Sequence, residues 1–119
     1  MIDILTREVG SVLVLDISGR LTLLDKTLRE TVLRCINDGS RHFVLRMSDV
    51  SYIDSCGLGE LVSTYVSVRN SGGDLRLLAP SERVRNLLKI TKLDTVFKTL
   101  EDATPFSDSA SPMASRIAG

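Results

Sequence analysis

The 119-residue sequence has no tryptophan, only five tyrosines and phenylalanines, and no net charge, because fifteen basic side chains balance fifteen acidic ones. It has no cluster of lysine and arginine among aromatic residues, so it lacks the surface that nucleic-acid-binding proteins use. No apolar run is long enough to cross a membrane, and the start of the chain lacks a basic-then-apolar signal peptide. We therefore expect a cytoplasmic protein with neither nucleic acid nor membrane as a partner.

Residues that build catalytic and metal sites are also scarce. Cys35 and Cys56 have neither the number nor the spacing of a disulfide framework or a zinc site. A serine nucleophile at Ser55 would need a histidine base, and His42 is the one histidine. The strand predicted over residues 43–47 separates the two, because it places His42 at its far end from Ser55. The phosphate-binding loop G-x-x-x-x-G-K-[ST] and the G-x-S-x-G elbow are both absent. We predict no metal site, no cofactor and no enzymatic activity.

The apolar content is that of an ordinary globular protein, with 43% hydrophobic and 25% charged residues. A chain of this length forms one domain, which we place over residues 1–102. From residue 103 to residue 119 the sequence is rich in serine, alanine and proline and has little to bury. This composition predicts a disordered C-terminal tail.

Hydrophobic periodicity predicts five strands and three helices. The strands are predicted over residues 2–9, 12–17, 43–47, 75–79 and 95–100. The helices are predicted from Leu24 to Ile36, from Leu58 to Val68, and from an N-cap at Ser81 onwards. The order β-β-α-β-α-β-α-β predicts an α/β fold in which an antiparallel hairpin leads into an open mixed, mainly parallel β-sheet with helices packed on it.

The polar stretch between the third strand and the second helix is the candidate site. Ser55 stands beside Asp54, and Gly57 and Gly59 follow. The first N–H groups of a helix have no partner within it, so Ser55 could cap the helix or carry a phosphate there. The glycines could open the backbone to a partner or let the helix pack closely. Spacing alone favours a plain N-cap at Ser55 or Asp54.

The predicted topology places this stretch where open α/β sheets bind their ligands. Binding in such sheets occurs at the carboxyl ends of the strands. Two predicted turns lie there, over residues 22–25 and 51–59. Helix-end chemistry and sheet topology therefore select the same edge.

The segment Tyr52-Ile-Asp-Ser-Cys-Gly-Leu-Gly59 resembles the central motif of STAS domains, specifically of bacterial anti-sigma factor antagonists, which usually read Asp-Ser-Ser-Gly-Leu-Gly. Residues 14–21, 28–30, 44–50 and 87–97 also agree with the family pattern. The resemblance extends over about residues 3 to 100. The open α/β fold of the family is the one that periodicity predicts here.

The resemblance implies a switch at Ser55. In the family, the first serine of the motif is phosphorylated by an anti-sigma factor, which is a serine kinase with a histidine-kinase-like ATPase fold. The unphosphorylated antagonist binds this kinase and frees a sigma factor, and a PP2C-type phosphatase restores that state. The resemblance implies partner contacts at Thr22, Asp25, Tyr52, Ile53, Asp54, Ser55, Cys56, Gly57, Leu58 and Gly59, in a monomer or weak dimer.

Two departures from the family pattern concern these contacts. Cys56 replaces the second serine of the motif, and Thr22 stands where many relatives carry an acidic residue, with Asp25 in a shifted register. Two other functions are compatible with the sequence. One is a STAS interaction subunit of a transporter or signalling scaffold that is not phosphorylated. The other is a nucleotide-binding or nucleotide-hydrolysing protein, which the missing phosphate-binding loop disfavours.

Overall fold

The computed structural model describes residues 2–22 and 26–100. The predicted tail, residues 103–119, lies outside the described residues. Leu24, at which the first helix is predicted to begin, and Asp25 also lie outside them. The described elements are strands β1 (Ile2–Val9), β2 (Val12–Leu21), β3 (His42–Ile53), β4 (Asp74–Leu78) and β5 (Lys98–Leu100), with helices α1 (Thr27–Asn37), α2 (Ser55–Asn70) and α3 (Glu82–Ile90).

The strands form one sheet in the order β1-β2-β3-β4-β5. Strand β1 is antiparallel to β2, and the remaining neighbours are parallel. A helix lies in each connection between neighbouring strands from β2 to β5, as parallel pairing requires. The predicted mixed, mainly parallel sheet and the order of its elements are confirmed.

One hydrophobic core joins the sheet to all three helices. Strand β2 contributes Leu13, Leu15 and Ile17, and the helices contribute pairs spaced four or seven residues apart. These pairs are Leu28 and Val32, Leu61 and Val68, and Val84 and Leu88. The helices therefore cover the same face of the sheet. None of the helices within the described ranges is long and apolar enough to cross a membrane.

Local signals predicted the third helix correctly. Ser81 precedes α3 in an extended conformation, and its hydroxyl accepts a hydrogen bond from the N–H of Val84 at 3.4 Å. A serine in this position satisfies a donor that the helix leaves unpaired. The predicted N-cap at Ser81 is confirmed.

Strands β2 and β3 are longer than predicted. The sequence indicated that the chain leaves the sheet at Gly19 and that a turn begins at Ser51, but β2 continues to Leu21 and β3 to Ile53. The pairing register shifts between Asp16 and Ser18 and again after Gly19. Such irregularities insert extra residues and break the two-residue alternation by which strands are predicted.

The ends of the last two strands also differ from the prediction. The sequence predicts that the fourth strand includes Ala79, but the φ of 48° at Ala79 is not extended, and β4 ends at Leu78. Residues Leu93–Thr95 form a 3₁₀ turn, so the fifth strand is only Lys98–Leu100. Neither deviation changes the strand order.

The packing of α2 on the sheet predicts a large difference between two truncations on the same helix. Leu61 is 0% exposed, whereas Val66 is 47% exposed. Leu61→Ala is expected to lower the free energy of unfolding by about 2–5 kcal/mol, because it leaves a cavity under the helix. Val66→Ala is expected to stay within about 0.5 kcal/mol of the parent. Urea denaturation measures both, and equal losses would contradict the assigned face of α2.

Candidate functional site

The candidate site lies where two central strands end side by side. Strands β2 and β3 are parallel neighbours, and their last paired residues are Leu21 and Ile53. Asp54 follows β3 directly, and α2 begins at Ser55. The predicted position at the carboxyl edge of the sheet is therefore found in the structure.

Asp54 caps helix α2. Its backbone is extended, with φ −114° and ψ −176°, and its Oδ1 accepts a hydrogen bond from the N–H of Gly57 at 2.8 Å. Its backbone carbonyl accepts the N–H of Leu58 at 2.8 Å, which closes the first turn. Of the two N-cap candidates that the sequence left open, the structure selects Asp54.

Ser55 is consequently free of a capping role. It is the first residue of α2 and is exposed, as is Cys56. Within residues 2–22 and 26–100, no hydrogen bond involves the Ser55 hydroxyl or the N–H groups of Ser55 and Cys56. An accessible hydroxyl thus stands beside two unpaired donors at the positive end of a helix.

The two glycines of the motif have different surroundings. A Cβ atom on Gly57 would lie 2.0 Å from the carbonyl oxygen of Leu21, so only glycine lets α2 approach the end of β2 this closely. A Cβ atom on Gly59 would meet nothing within 4 Å. Close packing therefore explains Gly57, but it does not explain Gly59.

The residues with expected partner contacts differ in accessibility. Thr22 follows Leu21 directly and therefore lies beside the start of α2. Ile53, Gly57 and Leu58 are buried; Thr22, Tyr52 and Asp54 are half-buried; Ser55, Cys56 and Gly59 are exposed; and Asp25 lies outside the described residues. Leu58, only 5% exposed, packs in the main core. The surface open to a partner is therefore centred on Ser55, Cys56 and Gly59.

Two arginines that no sequence motif indicated, Arg20 and Arg83, lie over the ring of Tyr52. The guanidinium carbons of Arg20 and Arg83 lie 4.4 Å and 4.5 Å from the centroid of its ring. Arg20 is opposite Tyr52 across the β2–β3 pair, and Arg83 is in the first turn of α3. Each exposed cation–π contact is worth about 0.5–1 kcal/mol. No local pattern in the sequence links three residues from three separate elements.

The two cysteines have contrasting environments. Cys35 is half-buried on α1 and packs against the main core, as its place on the apolar stripe predicted. Burial raises the pKa of the Cys35 thiol, and the nearby Arg34 charge opposes this only in part. Cys56 is exposed beside Ser55. The reactive form of cysteine is the thiolate, so accessibility and ionisation both disfavour reaction at Cys35.

Comparison with known proteins identifies a family and several similar proteins. The STAS domain family model matches residues 3–103. The chain is similar to the anti-sigma-B factor antagonist of Bacillus subtilis, with 46% identity over 50 residues, which are 42% of this chain and 46% of the relative. A protein of Thermotoga neapolitana named as a candidate anti-sigma factor antagonist is 43% identical over 63 residues, or 53% of this chain and 56% of the relative. The chain thus spans about half the length of these curated relatives.

A solved structure extends the similarity to most of the chain. The crystal structure of a candidate anti-sigma factor antagonist from Thermotoga maritima superposes with a TM-score of 0.78 at 30% sequence identity. The match covers 86% of this chain and 89% of that one. The similarity therefore extends over most of the fold.

The contrast between the glycines predicts opposite effects of the same substitution. Gly57→Ala is expected to lower the free energy of unfolding by about 1–3 kcal/mol or more, because the added methyl group forces α2 away from Leu21. Gly59→Ala is expected to raise it by about 0.5–1 kcal/mol, because alanine loses less backbone entropy in a helix. Chemical denaturation of the two variants distinguishes these effects. Destabilisation by Gly59→Ala would show that its side-chain position is not open.

The cysteine environments predict an order of alkylation. With iodoacetamide at pH 8, Cys56 of the folded protein is expected to react well before Cys35, because Cys35 is half-buried and its raised pKa leaves less thiolate. Peptide mapping by mass spectrometry measures the two rates. Cys35→Ser and Cys56→Ser assign each adduct, and unfolding in urea should bring the rates together. Equal rates in the folded protein would contradict the assigned environments.

Proposed function

The chain belongs to the STAS domain family, and we propose that it is an anti-sigma factor antagonist controlled by phosphorylation of Ser55. The unphosphorylated chain binds an anti-sigma factor in the cytoplasm, and a sigma factor is released. The anti-sigma factor is a serine kinase with a histidine-kinase-like ATPase fold, which phosphorylates Ser55 and so ends the interaction. A PP2C-type phosphatase removes the phosphate. The names of the similar proteins support the antagonist role.

The free hydroxyl of Ser55 is the observation that carries this proposal. A serine that caps a helix directs its oxygen into the first turn, where a kinase cannot reach it without breaking the cap. Here Asp54 holds the N–H of Gly57, and Ser55 is exposed. The acceptor is therefore available while the helix stays capped.

Because of its location, phosphorylation of Ser55 is expected to affect the stability of the fold much less than the stability of a complex. A phosphate adds about 1.5 to 2 negative charges. The unpaired N–H groups and the dipole of α2 favour negative charge at this end by about 0.3–1 kcal/mol, which offsets part of the repulsion from the Asp54 carboxylate. A partner packed over Ser55, Cys56 and Gly59 would instead meet added bulk and an unpaired charge. Phosphorylation should therefore dissociate the complex and leave the domain folded.

The remaining contacts surround this exposed centre. Thr22, Tyr52 and Asp54 are half-buried beside it and form its rim in the proposed complex. Asp25 is proposed as a contact from the family resemblance alone. Ile53, Gly57 and Leu58 support the surface from within, because they are buried. Cys56 is close in size to the serine it replaces, and Ser55 beside it is exposed.

The proposal predicts a single phosphorylation site. Intact mass would be measured after mixing the protein with Mg-ATP and each candidate anti-sigma kinase encoded in its own genome. We expect one added phosphate on the parent, and none on Ser55→Ala. Ser51→Ala is the matched control, because Ser51 is an exposed serine four residues away whose hydroxyl donates to the carbonyl of Gly19. This variant should be phosphorylated like the parent.

Binding of the same kinases is expected to be lost when position 55 carries a negative charge. Ser55→Ala is expected to bind, and Ser55→Asp is expected to lose binding, as measured by calorimetry. If active kinases added no phosphate and a stable complex formed equally with Ser55→Asp, the phosphorylation switch would be wrong. That result would favour the STAS interaction subunit that is not phosphorylated.

A further inference from the structure

A cationic surface lies on the same edge of the sheet as Ser55. It consists of Arg20, Tyr52 and Arg83, which we call the arginine–tyrosine cluster. Tyr52 is three residues before Ser55, at the end of β3. Both arginines are exposed, and Tyr52 is half-buried. Two positive charges are therefore held on one aromatic ring beside the proposed interface.

The two guanidinium groups have no polar partner within the described ranges. Most other arginines there do have one, either a carboxylate or a backbone carbonyl; these are Arg7, Arg29, Arg41, Arg46, Arg76 and Arg85. Glu82 adjoins Arg83 in the sequence but forms no ion pair with it among the described contacts. Like charges brought together without a counter-ion repel each other, so an anion bound there would be favoured.

The geometry suits carboxylate groups. In a cation–π contact the five N–H donors of a guanidinium are not paired with an oxygen acceptor, and neither arginine has a polar partner within the described ranges. Those N–H groups match a carboxylate in a two-bond arrangement, which is among the strong hydrogen bonds of proteins. Tyrosine and arginine are also the residue types enriched among the energetically dominant positions of protein interfaces.

We propose that the arginine–tyrosine cluster is the docking point for an acidic segment of the anti-sigma factor. This inference rests on the proposed function, because it identifies a second contact of the same partner beside Ser55. A protein carboxylate fits better than a nucleic-acid backbone, since the cluster holds only two cations and the chain has no net charge. The cluster supplies affinity through charge, while the surface at Ser55 supplies the phosphorylation control.

The cluster can be tested without the partner by NMR titration with a hexaglutamate peptide. The Nε–H signals of Arg20 and Arg83 are expected to shift at peptide concentrations at least about threefold lower than those of Arg34 and Arg69. These two arginines are also exposed and lack a polar partner in the described part of the chain, so they are matched controls. Hexaglutamine should shift none of them.

Two results of this titration would overturn the proposal. Equal shifts of all four arginines would show attraction by charge alone. Shifts at Arg20 and Arg83 with inorganic phosphate but not with hexaglutamate would show a phosphate site and not a carboxylate site. Selective shifts with hexaglutamate would support a carboxylate-binding site at the cluster, and the partner is identified by the second measurement.

The second measurement uses the anti-sigma factor that binds the parent. The double variant Arg20→Gln/Arg83→Gln is expected to raise the Kd about tenfold or more, since both charged contacts are lost. Arg34→Gln/Arg69→Gln removes the same charge at the other ends of α1 and α2 and should change the Kd less than twofold. Tyr52→Phe keeps the ring and is expected to bind more tightly than Tyr52→Leu. Thermal unfolding establishes that each variant is folded.

The outcomes separate the two proposals. An unchanged Kd for Arg20→Gln/Arg83→Gln would overturn the docking point, while binding that still depends on Ser55 would leave the phosphorylation switch in place. If no anti-sigma factor bound the parent, the proposed function would fail. The peptide titration would then decide by itself whether the cluster is an acidic-segment site.

Discussion

The approach of helix α2 to the end of strand β2 is the contact on which the candidate site depends. At Gly57 the helix backbone lies against the carbonyl of Leu21, where no side chain would fit. This contact sets the position of the first turn of α2 relative to the sheet. It thereby places Ser55 and Cys56 on the surface and directs Leu58 into the core. A shift of the helix would move the hydroxyl and the backbone donors together.

Because of that placement, neighbouring residues at the start of α2 have different structural roles. Asp54 accepts a hydrogen bond from the N–H of Gly57, and Gly57 permits the close packing on Leu21. Ser55 has neither a capping nor a packing role. The charge at such a residue can change with little effect on the free energy of unfolding. The main core, between the sheet and the three helices, supplies stability elsewhere. The structure therefore suits a domain whose surface is altered while its interior is unchanged.

The extended ends of β2 and β3 give the same edge a second feature. Because both strands continue past the register shifts, Arg20 and Tyr52 are paired at the margin of the sheet. Arg83, in the first turn of α3, makes the second cation–π contact with the Tyr52 ring. Cationic side chains and a phosphorylatable hydroxyl consequently occur within one short stretch of the edge. A partner that covers Ser55 would also reach the arginines.

The sequence by itself determined the order of the elements, the mainly parallel sheet and the placement of Ser55 at a helix start. Hydrophobic periodicity and capping are local, so the apolar positions from Leu58 to Val68 predicted helix α2 and Ser81 predicted the start of α3. Only the tertiary structure decided that Asp54 and not Ser55 is the cap, and that Gly57 packs whereas Gly59 does not. It also decided how far β2 and β3 extend and which arginines meet Tyr52. These features depend on strand register and on contacts between distant segments, which a local pattern does not encode.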